Sequence, residues 1–344
     1  MSQKNLNASN KTHKNLLNNL KDKRIFKFYR KFEKNFSLNQ DFIVGVSGGP
    51  DSLALCFLTK IYSIKKSLNA YYYIVDHRLR KNSSIEAQSV KNLLKKNNIK
   101  LDILNWYGKK PKSNIQSLAR NKRYILLINQ AKKSNIKIIL TAHHIDDLYE
   151  NFFIRISRGS GLNGLVSFSK KTQKDKITIL RPLISFEKKH LNFITTKVFK
   201  SYIEDPSNED NKFKRVRIRK LIKNLQNDGL DKNKFLLTIK NLTDSNETIK
   251  FYVAKNLKEN SYIYKDKKKI ILNKQFFNQP HEVTFRSLSE IIKFVGNKYY
   301  PVRGKKVDNI IDKLKGEARS NFKLTLGNCI IHKVNKSIIV VKEH

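Results

Sequence analysis

Short apolar runs alternate with segments of helical periodicity through the first part of the chain. A short apolar run is typical of a buried parallel strand, and apolar residues three and four apart are typical of an amphipathic helix. The predicted strands are Phe42–Val46, Ala70–His77, Leu101–Leu104, Lys137–Ala142 and Ile177–Leu183. The predicted helices are Ile25–Phe32, Leu53–Leu58, Glu86–Asn97, Ile115–Ser134, Asp146–Arg158 and Phe186–Lys200. This alternation predicts an α/β fold with a doubly wound parallel sheet.

The pattern changes after about residue 230. The predicted elements there are a long helix at Phe235–Leu257, strands at Tyr262–Tyr264 and Lys269–Leu272, helices at Val283–Phe294 and Lys306–Leu314, and strands at Asn321–Leu326, Cys329–Val334 and Ser337–Val341. This mixture indicates a second, smaller α+β domain. The predicted division is an N-terminal extension with a first helix over 1–40, a main domain over 41–228, and a smaller domain with a connecting helix over 229–344.

The turn after the first predicted strand reads Ser47-Gly48-Gly49-Pro50-Asp51-Ser52. It leads directly into a helix, which we expect Asp51 and Ser52 to cap. Backbone N–H groups in such a turn, together with the helix N-terminus, favour an anion such as a phosphate. The turn lacks the lysine of a Walker A loop and the spacing of a dinucleotide-binding G-x-G-x-x-G loop. The sequence therefore predicts a different kind of nucleotide-phosphate loop, with a plain tight turn as the alternative.

The charge balance indicates a polyanionic partner. The 344 residues include 71 Lys and Arg against 28 Asp and Glu, a formal net charge of +43. Such a surplus is typical of nucleic-acid-binding proteins, although the abundance of Lys, Asn and Ile also indicates a general compositional bias. The two cysteines, Cys56 and Cys329, form no C-x-x-C pair, which disfavours a zinc or dithiol site. No apolar stretch has the length of a membrane span or signal core, so we expect a soluble, cytoplasmic protein.

Acidic residues are scarce, which draws attention to Asp147 and Glu150. They lie one helical turn apart and share a face, where they could bind a metal ion or an ammonium group. The alternative is a solvated acidic helix start, which the helix dipole favours. His143 and His144 precede them, but adjacent side chains at a strand end point in opposite directions, which argues against joint zinc ligation.

Two groups of arginines are candidates for binding phosphate. Arg120 and Arg123 are three residues apart on a predicted helix, and arginine binds phosphate through paired hydrogen bonds. Arg215, Arg217 and Arg219 alternate, and on an extended segment they would share one face suited to RNA phosphates. Helix and strand both remain open for this second segment. The alternative for each group is solvated basic surface.

The Ser-Gly-Gly-x-Asp-Ser turn resembles the pyrophosphate loop of ATP pyrophosphatases, which split ATP into AMP and pyrophosphate. Further segments, in order, resemble one branch of that group, the bacterial tRNA(Ile)-lysidine synthetases, in a short form. These segments are Val75 to Arg80, Ala119-Arg120 with Arg123-Tyr124, His143-His144 with Asp146-Asp147 and Glu150, Arg158 to Gly161, Arg181-Pro182-Leu183, and Asp205 through Arg219. The chain departs from the family pattern at Leu148, Asn151 and Gln116, where the family tends to have Gln, Thr and Glu.

The resemblance implies a ligase that adenylates C2 of the wobble cytidine in the CAU-anticodon isoleucine tRNA. Free lysine then attacks C2 through its ε-amine, forming lysidine with release of AMP and pyrophosphate. ATP and Mg²⁺ are implied as cofactors, with Asp51 as the Mg²⁺ ligand. The implied ATP-binding residues are Ser47, Gly48, Gly49, Pro50, Asp51, Ser52, Asp76 and His77. The implied catalytic residues are Asp51, Arg120, Asp147 and Glu150. The implied tRNA-binding residues are Arg123, Arg158, Arg215, Arg217 and Arg219.

Three other functions are weighed against this one. A tRNA-thiolating enzyme shares the loop but usually needs reactive cysteines, and here two isolated cysteines are present. A small-molecule ligase of the same group would not need so high a charge. A non-catalytic RNA-binding protein on this fold would tolerate loss of Asp51 or Ser52, yet both are present. The oligomeric state, including a homodimer, is left open.

Overall fold

A computed structural model describes residues 14–79, 82–108, 115–168, 170–203, 214–264, 269–298, 302–315, 321–335 and 337–343. Two parts of the segments that carry the family resemblance, Arg80 and residues 205–213, lie outside these residues. The chain divides into two units, Met1–Leu230 and Asp231–His344. None of the helices in the described residues is long and apolar enough to cross a membrane.

The first unit contains a sheet and the helices that cover it. Its strands are β1 Phe42–Val46, β2 Ala70–Asp76, β3 Leu101–Asn105, β4 Ile138–Leu140, β5 Lys171–Lys174 and β6 Ile177–Leu180. Its helices are α1 Lys14–Asn18, α2 Lys23–Asn35, α3 Pro50–Lys66, α4 Ser83–Lys96, α5 Ile115–Lys133, α6 Ile145–Ile156, α7 Leu162–Leu165, α8 Lys188–Phe199 and α9 Lys214–Asn227, with a short 3₁₀ turn at Asn19–Lys21.

The strand order of this sheet is β3-β2-β1-β4-β6-β5. Strands β1, β2, β3, β4 and β6 are parallel, and β5 runs antiparallel to β6 at the edge. The chain runs outward from β1 to β3 and then crosses to β4 on the other side of β1. The carboxyl ends of β1 and β4 therefore form a topological switch point, where open α/β sheets bind ligands. This arrangement confirms the predicted doubly wound parallel sheet.

Alternate residues of the strands enter separate cores on the two faces of the sheet. On β1, Phe42 and Val44 pack in the core that contains helix α3, and Ile43 packs in the core that contains helix α5. This strict alternation explains why β1 is apolar throughout, since a strand with both faces buried has no solvated side. Gly45 lies on the α5 side, where an added Cβ would be 3.1 Å from Leu127 Cδ1.

One local expectation is wrong, one that was left open is decided, and one strand was missed. Asp51 and Ser52 do not cap α3, because they lie inside the helix, which begins at Pro50; its N-cap is Gly49, without a side-chain bond. Residues 215–219 are helical, within α9, so Arg217 does not share a face with the arginines on either side of it. Strand β5 was not predicted, because its sequence is polar and its side chains are partly or fully exposed.

The second unit has its own antiparallel sheet, with the strand order β7-β8-β11-β10-β9. Its elements are α10 Lys232–Asn260, β7 Ser261–Ile263, β8 Lys269–Leu272, a 3₁₀ turn at Lys274–Phe277, α11 His281–Val295, α12 Gly304–Lys315, β9 Asn321–Thr325, β10 Cys329–Val334 and β11 Ser337–Lys342. Residues of α11 and α12, including Leu288 and Ile311, pack with Leu272, Ile331 and Val340 of the sheet in one core. The unit is of the α+β type.

A substitution at Gly48 tests whether the conformation of the turn after β1 requires glycine. Its φ is +84°, and an added Cβ would lie 2.7 Å from Val90 Cγ2 on α4. We expect Gly48→Ala to lower the free energy of unfolding by at least about 1–2 kcal/mol, because the left-handed conformation alone costs a side chain that much. Chemical denaturation monitored by circular dichroism measures this loss.

Gly49→Ala is the matched control for this prediction. An added Cβ there meets only Ser47 Oγ, at 3.9 Å, and φ is −75°. We expect a smaller loss, limited to the weaker N-cap. Equal losses in the two variants would contradict the role given to the conformation of Gly48.

Candidate functional site

The turn between β1 and α3 is held by the two serines that begin and end its motif. The N–H of Ser47 donates to Ser52 Oγ at 3.1 Å, and Ser52 Oγ donates to the carbonyl of Gly49 at 2.9 Å. Two other segments hold the turn from outside, since Thr195 Oγ1 donates to the Pro50 carbonyl at 2.7 Å and the Ile203 N–H donates to the Gly48 carbonyl at 3.1 Å. The result is a fixed backbone cradle at a helix N-terminus, which suits an anion.

His144, at the start of α6, is surrounded by carboxylates. Its Nε2 lies 3.4 Å from Asp51 Oδ2 and 3.6 Å from Asp147 Oδ2, and its Nδ1 lies 3.3 Å from Asp146 Oδ2. Burial disfavours the charged ring, but bonds to Asp146 and Asp51 and the charge of Asp147 outweigh burial and raise the pKa of His144 to about 10. The surrounding carboxylates therefore favour the protonated form of His144, whose ring links the phosphate loop to α6.

The two carboxylate oxygens of Asp51 have different surroundings. Its Oδ2 faces His144, whereas its Oδ1 is buried and has no hydrogen-bond partner among the described residues. A buried, unpaired carboxylate oxygen is costly unless something cationic binds it. Because Asp51 lies in the first turn of α3, next to the phosphate cradle, this oxygen has the chemistry of a ligand for a divalent cation.

His143 faces the opposite, basic side. Its Nε2 lies 3.5 Å from Arg120 Nη2, and its Nδ1 lies 2.9 Å from Thr141 Oγ1. Burial, followed by the charges of Arg120 and Arg181, holds the pKa of His143 well below its usual value, so the ring is neutral. Since a guanidinium can only donate, Nε2 accepts from Arg120 and the Nδ1 proton is donated to Thr141.

Arginines and aromatic rings complete this basic side. The guanidinium carbon of Arg181 lies 4.8 Å from the centroid of the Phe168 ring, and that of Arg120 lies 5.6 Å from the Tyr124 centroid. Burial, together with the charge of Arg120, lowers the pKa of Arg181. Guanidinium groups held this close repel one another, and an anion placed among them would relieve that repulsion.

Glu150 is bound to Arg219, which was predicted to bind tRNA. It is 4% exposed, and Arg219 donates to it through Nε at 2.5 Å and through Nη2 at 3.5 Å. Burial raises the pKa of Glu150 and Arg219 partly offsets this, while Glu150 and Asp147 raise the pKa of Arg219 against its own burial. Asp147, one turn earlier on α6, accepts from the backbone N–H of His144 at 3.0 Å in a capping box. The predicted acidic pair is therefore a buried acid–guanidinium pair with Asp147 beside it.

The end of β2 supplies Asp76 and His77. Asp76 accepts from Ser84 Oγ at 2.6 Å and from the Arg78 N–H at 2.9 Å, so both of its oxygens hold the chain after β2. Both ring nitrogens of His77 are buried and have no hydrogen-bond partner in the described part of the chain. Burial, with the charge of Arg123, lowers the pKa of His77 to about 4, so this ring is neutral at physiological pH.

The remaining predicted tRNA-binding residues lie at the surface. Arg158 follows α6, and Arg215 and Arg217 lie on α9, all three exposed. Helix α9 packs against α6, which is how Arg219 reaches Glu150. The structure thus collects the phosphate loop, His144, the Glu150–Arg219 pair and the Arg120 cluster at one edge, and leaves these three arginines open to solvent.

Comparisons with known proteins agree with this arrangement. A family model described as a PP-loop domain matches residues 18–225. The tRNA(Ile)-lysidine synthase of Wolbachia pipientis wMel is 32% identical over 313 residues, covering 89% of this chain and 71% of the relative. The tRNA(Ile)-lysidine synthase of Orientia tsutsugamushi (strain Boryong) is 35% identical over 321 residues, covering 90% and 71%. The chain belongs to the tRNA(Ile)-lysidine synthase family.

A solved structure shares the fold at low sequence identity. The U34-tRNA thiolase NcsA from Methanococcus maripaludis superposes with a TM-score of 0.57 at 15% identity, covering 64% of this chain and 79% of that chain. Membership of the lysidine synthase family confirms the predicted ATP-dependent, tRNA-modifying enzyme and disfavours the thiolating and non-catalytic alternatives.

Several functional side chains of this family member were not singled out from the sequence. Beyond the family resemblance, the sequence pointed to His144 only as a poor zinc ligand, and no role was predicted for Thr141 or Phe168. The sequence signal for His144 is weak but real, because a histidine followed by two aspartates before an apolar helix is typical of an N-cap with acidic neighbours. Phe168 lies outside any helix or strand, so no periodic pattern identifies it.

The hydrogen bond from His143 to Thr141 gives a testable prediction. Thr141→Val removes the acceptor and leaves the buried Nδ1 proton unpaired, a cost of about 1–3 kcal/mol. If the ring moves its proton to Nε2 instead, it presents a donor to the Arg120 guanidinium. We expect lower stability in denaturant and slower tRNA-dependent formation of AMP. Thr141→Ser keeps the hydroxyl and should behave like the wild type, and a Val variant equal to wild type in both assays would disprove this assignment.

Proposed function

We propose that this protein uses ATP to activate C2 of the wobble cytidine in an isoleucine tRNA with a CAU anticodon and then joins lysine to C2, which yields lysidine. Family membership supports the reaction class. The single structural observation that carries the specific proposal is the pairing of buried Glu150 with Arg219 beside an anion cradle. A cradle for phosphate and an acid–guanidinium pair for an amino acid are the two binding functions that this reaction requires.

The phosphate loop binds the pyrophosphate portion of ATP. The C2 oxygen of cytidine attacks the α-phosphorus, and the bond to pyrophosphate breaks. Backbone N–H groups of the turn and the N-terminus of α3 stabilise the charge that develops on the leaving group. Asp51, through its unpaired Oδ1, would bind Mg²⁺. When bound, the ion supplies further neutralisation of phosphate charge.

The arginine cluster would bind the adenylate phosphate that remains after pyrophosphate leaves. Arg120, Arg123 and Arg181 repel one another; Arg181 is buried and Arg120 is partly buried, whereas Arg123 is exposed. The adenylate phosphate would sit against this side, since a preorganised cationic site stabilises a phosphate better than water that must reorient. His143 holds the Arg120 guanidinium in place as a neutral acceptor. This assignment gives Arg120 a role in stabilising AMP as a leaving group.

Lysine binds through the charges of its α-carboxylate and its α-ammonium group. An α-carboxylate pairs with a guanidinium and an α-ammonium pairs with a carboxylate, so the Glu150–Arg219 pair matches a free amino acid. Asp147 carries a further negative charge beside this pair for an ammonium group. The deprotonated ε-amine attacks C2, the bond from C2 to the activated oxygen breaks, and AMP leaves with that oxygen while one proton is released.

The exposed arginines Arg158, Arg215 and Arg217 are proposed to bind tRNA phosphates, together with the basic second unit. Each phosphate contact should add about −0.7 to −0.9 to the slope of log affinity against log salt. The net charge of +43 supports a polyanionic substrate. We place the reaction in the cytoplasm, where tRNA and ATP are both present.

The first prediction here tests the reaction itself. Incubation of the wild-type protein with ATP, radiolabelled lysine and total tRNA should transfer label to RNA, with AMP and pyrophosphate as products. The loop has no Walker lysine to favour transfer of the γ-phosphate. ADP as the main product, or label that never enters RNA, would refute the proposed function.

The second prediction separates lysine binding from RNA binding. Arg219→Gln breaks the pair with Glu150, and charge-assisted hydrogen bonds contribute about 1.5–3 kcal/mol, so the KM for lysine should rise at least about tenfold. Glu150→Gln should act in the same direction. The KM for ATP should change little in either variant.

Arg217→Gln, two residues away on the same helix but exposed, is the matched control. It should weaken tRNA binding and leave the KM for lysine unchanged. If Glu150→Gln raises the Mg²⁺ requirement and spares lysine, the acidic group holds metal instead and the lysine assignment is wrong.

A further inference from the structure

An exposed tyrosine lies on the same edge of the sheet as the phosphate loop, and nothing above uses it. Tyr107 comes shortly after β3 and is 75% exposed. The guanidinium carbon of Arg78, which follows β2, lies 4.6 Å from the centroid of the Tyr107 ring. A single exposed aromatic residue is common on protein surfaces and does not by itself indicate a binding site. What distinguishes Tyr107 is its pairing with Arg78 and its position at this edge of the sheet.

The backbone at Arg78 is held in an unfavourable conformation. Its φ is +51°, in the left-handed region that a residue with a side chain rarely adopts. The buried carboxylate of Asp76 fixes this conformation by accepting from the Arg78 N–H at 2.9 Å and from Ser84 Oγ at 2.6 Å. Glycine would fit this position without strain, yet the chain has a long cationic side chain here.

The backbone next to Tyr107 is also held in place. The N–H of Trp106 donates to the Asp76 carbonyl at 2.9 Å, which continues the pairing of β2 with β3 beyond the strands. The Trp106 ring packs edge-on against His77, with centroids 6.3 Å apart. The Arg78–Tyr107 pair therefore projects from two strand ends that are tied together, at the edge where β1 ends in the phosphate loop.

We propose that Arg78 and Tyr107 form a stacking platform for an unpaired base of the tRNA anticodon loop. Single-stranded RNA is bound by stacking of its bases on aromatic rings and on guanidinium planes, and both surfaces are present side by side. The Arg78 charge, 46% exposed at its side chain, also suits a neighbouring phosphate. A base next to the wobble position, held here, would fix the register of the cytidine that enters the site. This inference rests on the proposed function, because it takes tRNA as the substrate.

The openness of the ring argues for RNA rather than for the adenine of ATP. Pockets for small ligands enclose most of the ligand surface, whereas Tyr107 offers an open face. An RNA loop brings its own neighbouring nucleotides to cover the other side of a stacked base. The effect of the same variants on the KM for ATP tests this choice directly.

The experiment measures binding of the tRNA, and of an isolated anticodon stem–loop, at one fixed salt concentration. Tyr107→Ala should weaken both affinities about tenfold, since stacking of one base is lost. Tyr107→Phe and Tyr107→Trp should restore them. Arg78→Gly should also weaken binding, but with no loss of thermal stability, because glycine relieves the left-handed conformation. The KM for ATP should stay unchanged in every variant.

Tyr71→Ala is the matched control, because Tyr71 lies near the amino end of β2, 40% exposed, away from the edge that binds ligands. It should leave RNA affinity unchanged. Unchanged affinity in Tyr107→Ala, or an equal loss in Tyr71→Ala, would overturn the platform. A higher KM for ATP without weaker RNA binding would overturn it in favour of an adenine contact. Lysine incorporation by the wild type tests the proposed function separately, so the two failures are distinguishable.

Discussion

The site depends on the separation of opposite charges at the carboxyl end of β4. His144 has an extended backbone, so its side chain and that of His143 point to opposite sides. His144 meets Asp51, Asp146 and Asp147 and is charged, whereas His143 meets arginines and is neutral. Exchanging these two protonation states would place a cation among cations and remove the counter-charge from three carboxylates. The consecutive residues His143 and His144 thus divide the site into a half suited to cations and a half suited to anions.

The strand order brings this division to the phosphate loop. Strands β1 and β4 are neighbours in the sheet, although two strands and three helices separate them along the chain. Helices α3 and α5 pack on opposite faces, and the crevice opens where the chain reverses direction across the sheet. The contact between His144 and Asp51 joins the two sides of that crevice. Loop and charge division therefore form one site only because the sheet is doubly wound.

The proposed amino-acid ligand would account for the pairing of buried Glu150 with the partly buried Arg219. Burying two charges costs free energy that their attraction often fails to recover, so such a pair is weak evidence for stability. A free amino acid carries the same two charges in reverse and can satisfy both partners at once. The pair also ties α9 to α6, which keeps the exposed arginines of α9 beside the site. In the proposed function, α9 would therefore link binding of the amine to binding of the RNA.

The sequence by itself determined what depends on neighbouring residues. The apolar run of β1, the following turn and helix α3 are local, and Ser47, Gly49 and Ser52 bond among themselves, so the loop and its preference for phosphate were predictable. Periodicity also predicted the central strands, because a strand buried on both faces is apolar throughout. Only the tertiary structure decided that residues 215–219 are helical, that polar β5 joins the sheet edge, and that Arg219 pairs with Glu150, 69 residues away. In a chain with so many basic residues, burial and the path of the backbone select the partner, and neither is encoded in local spacing.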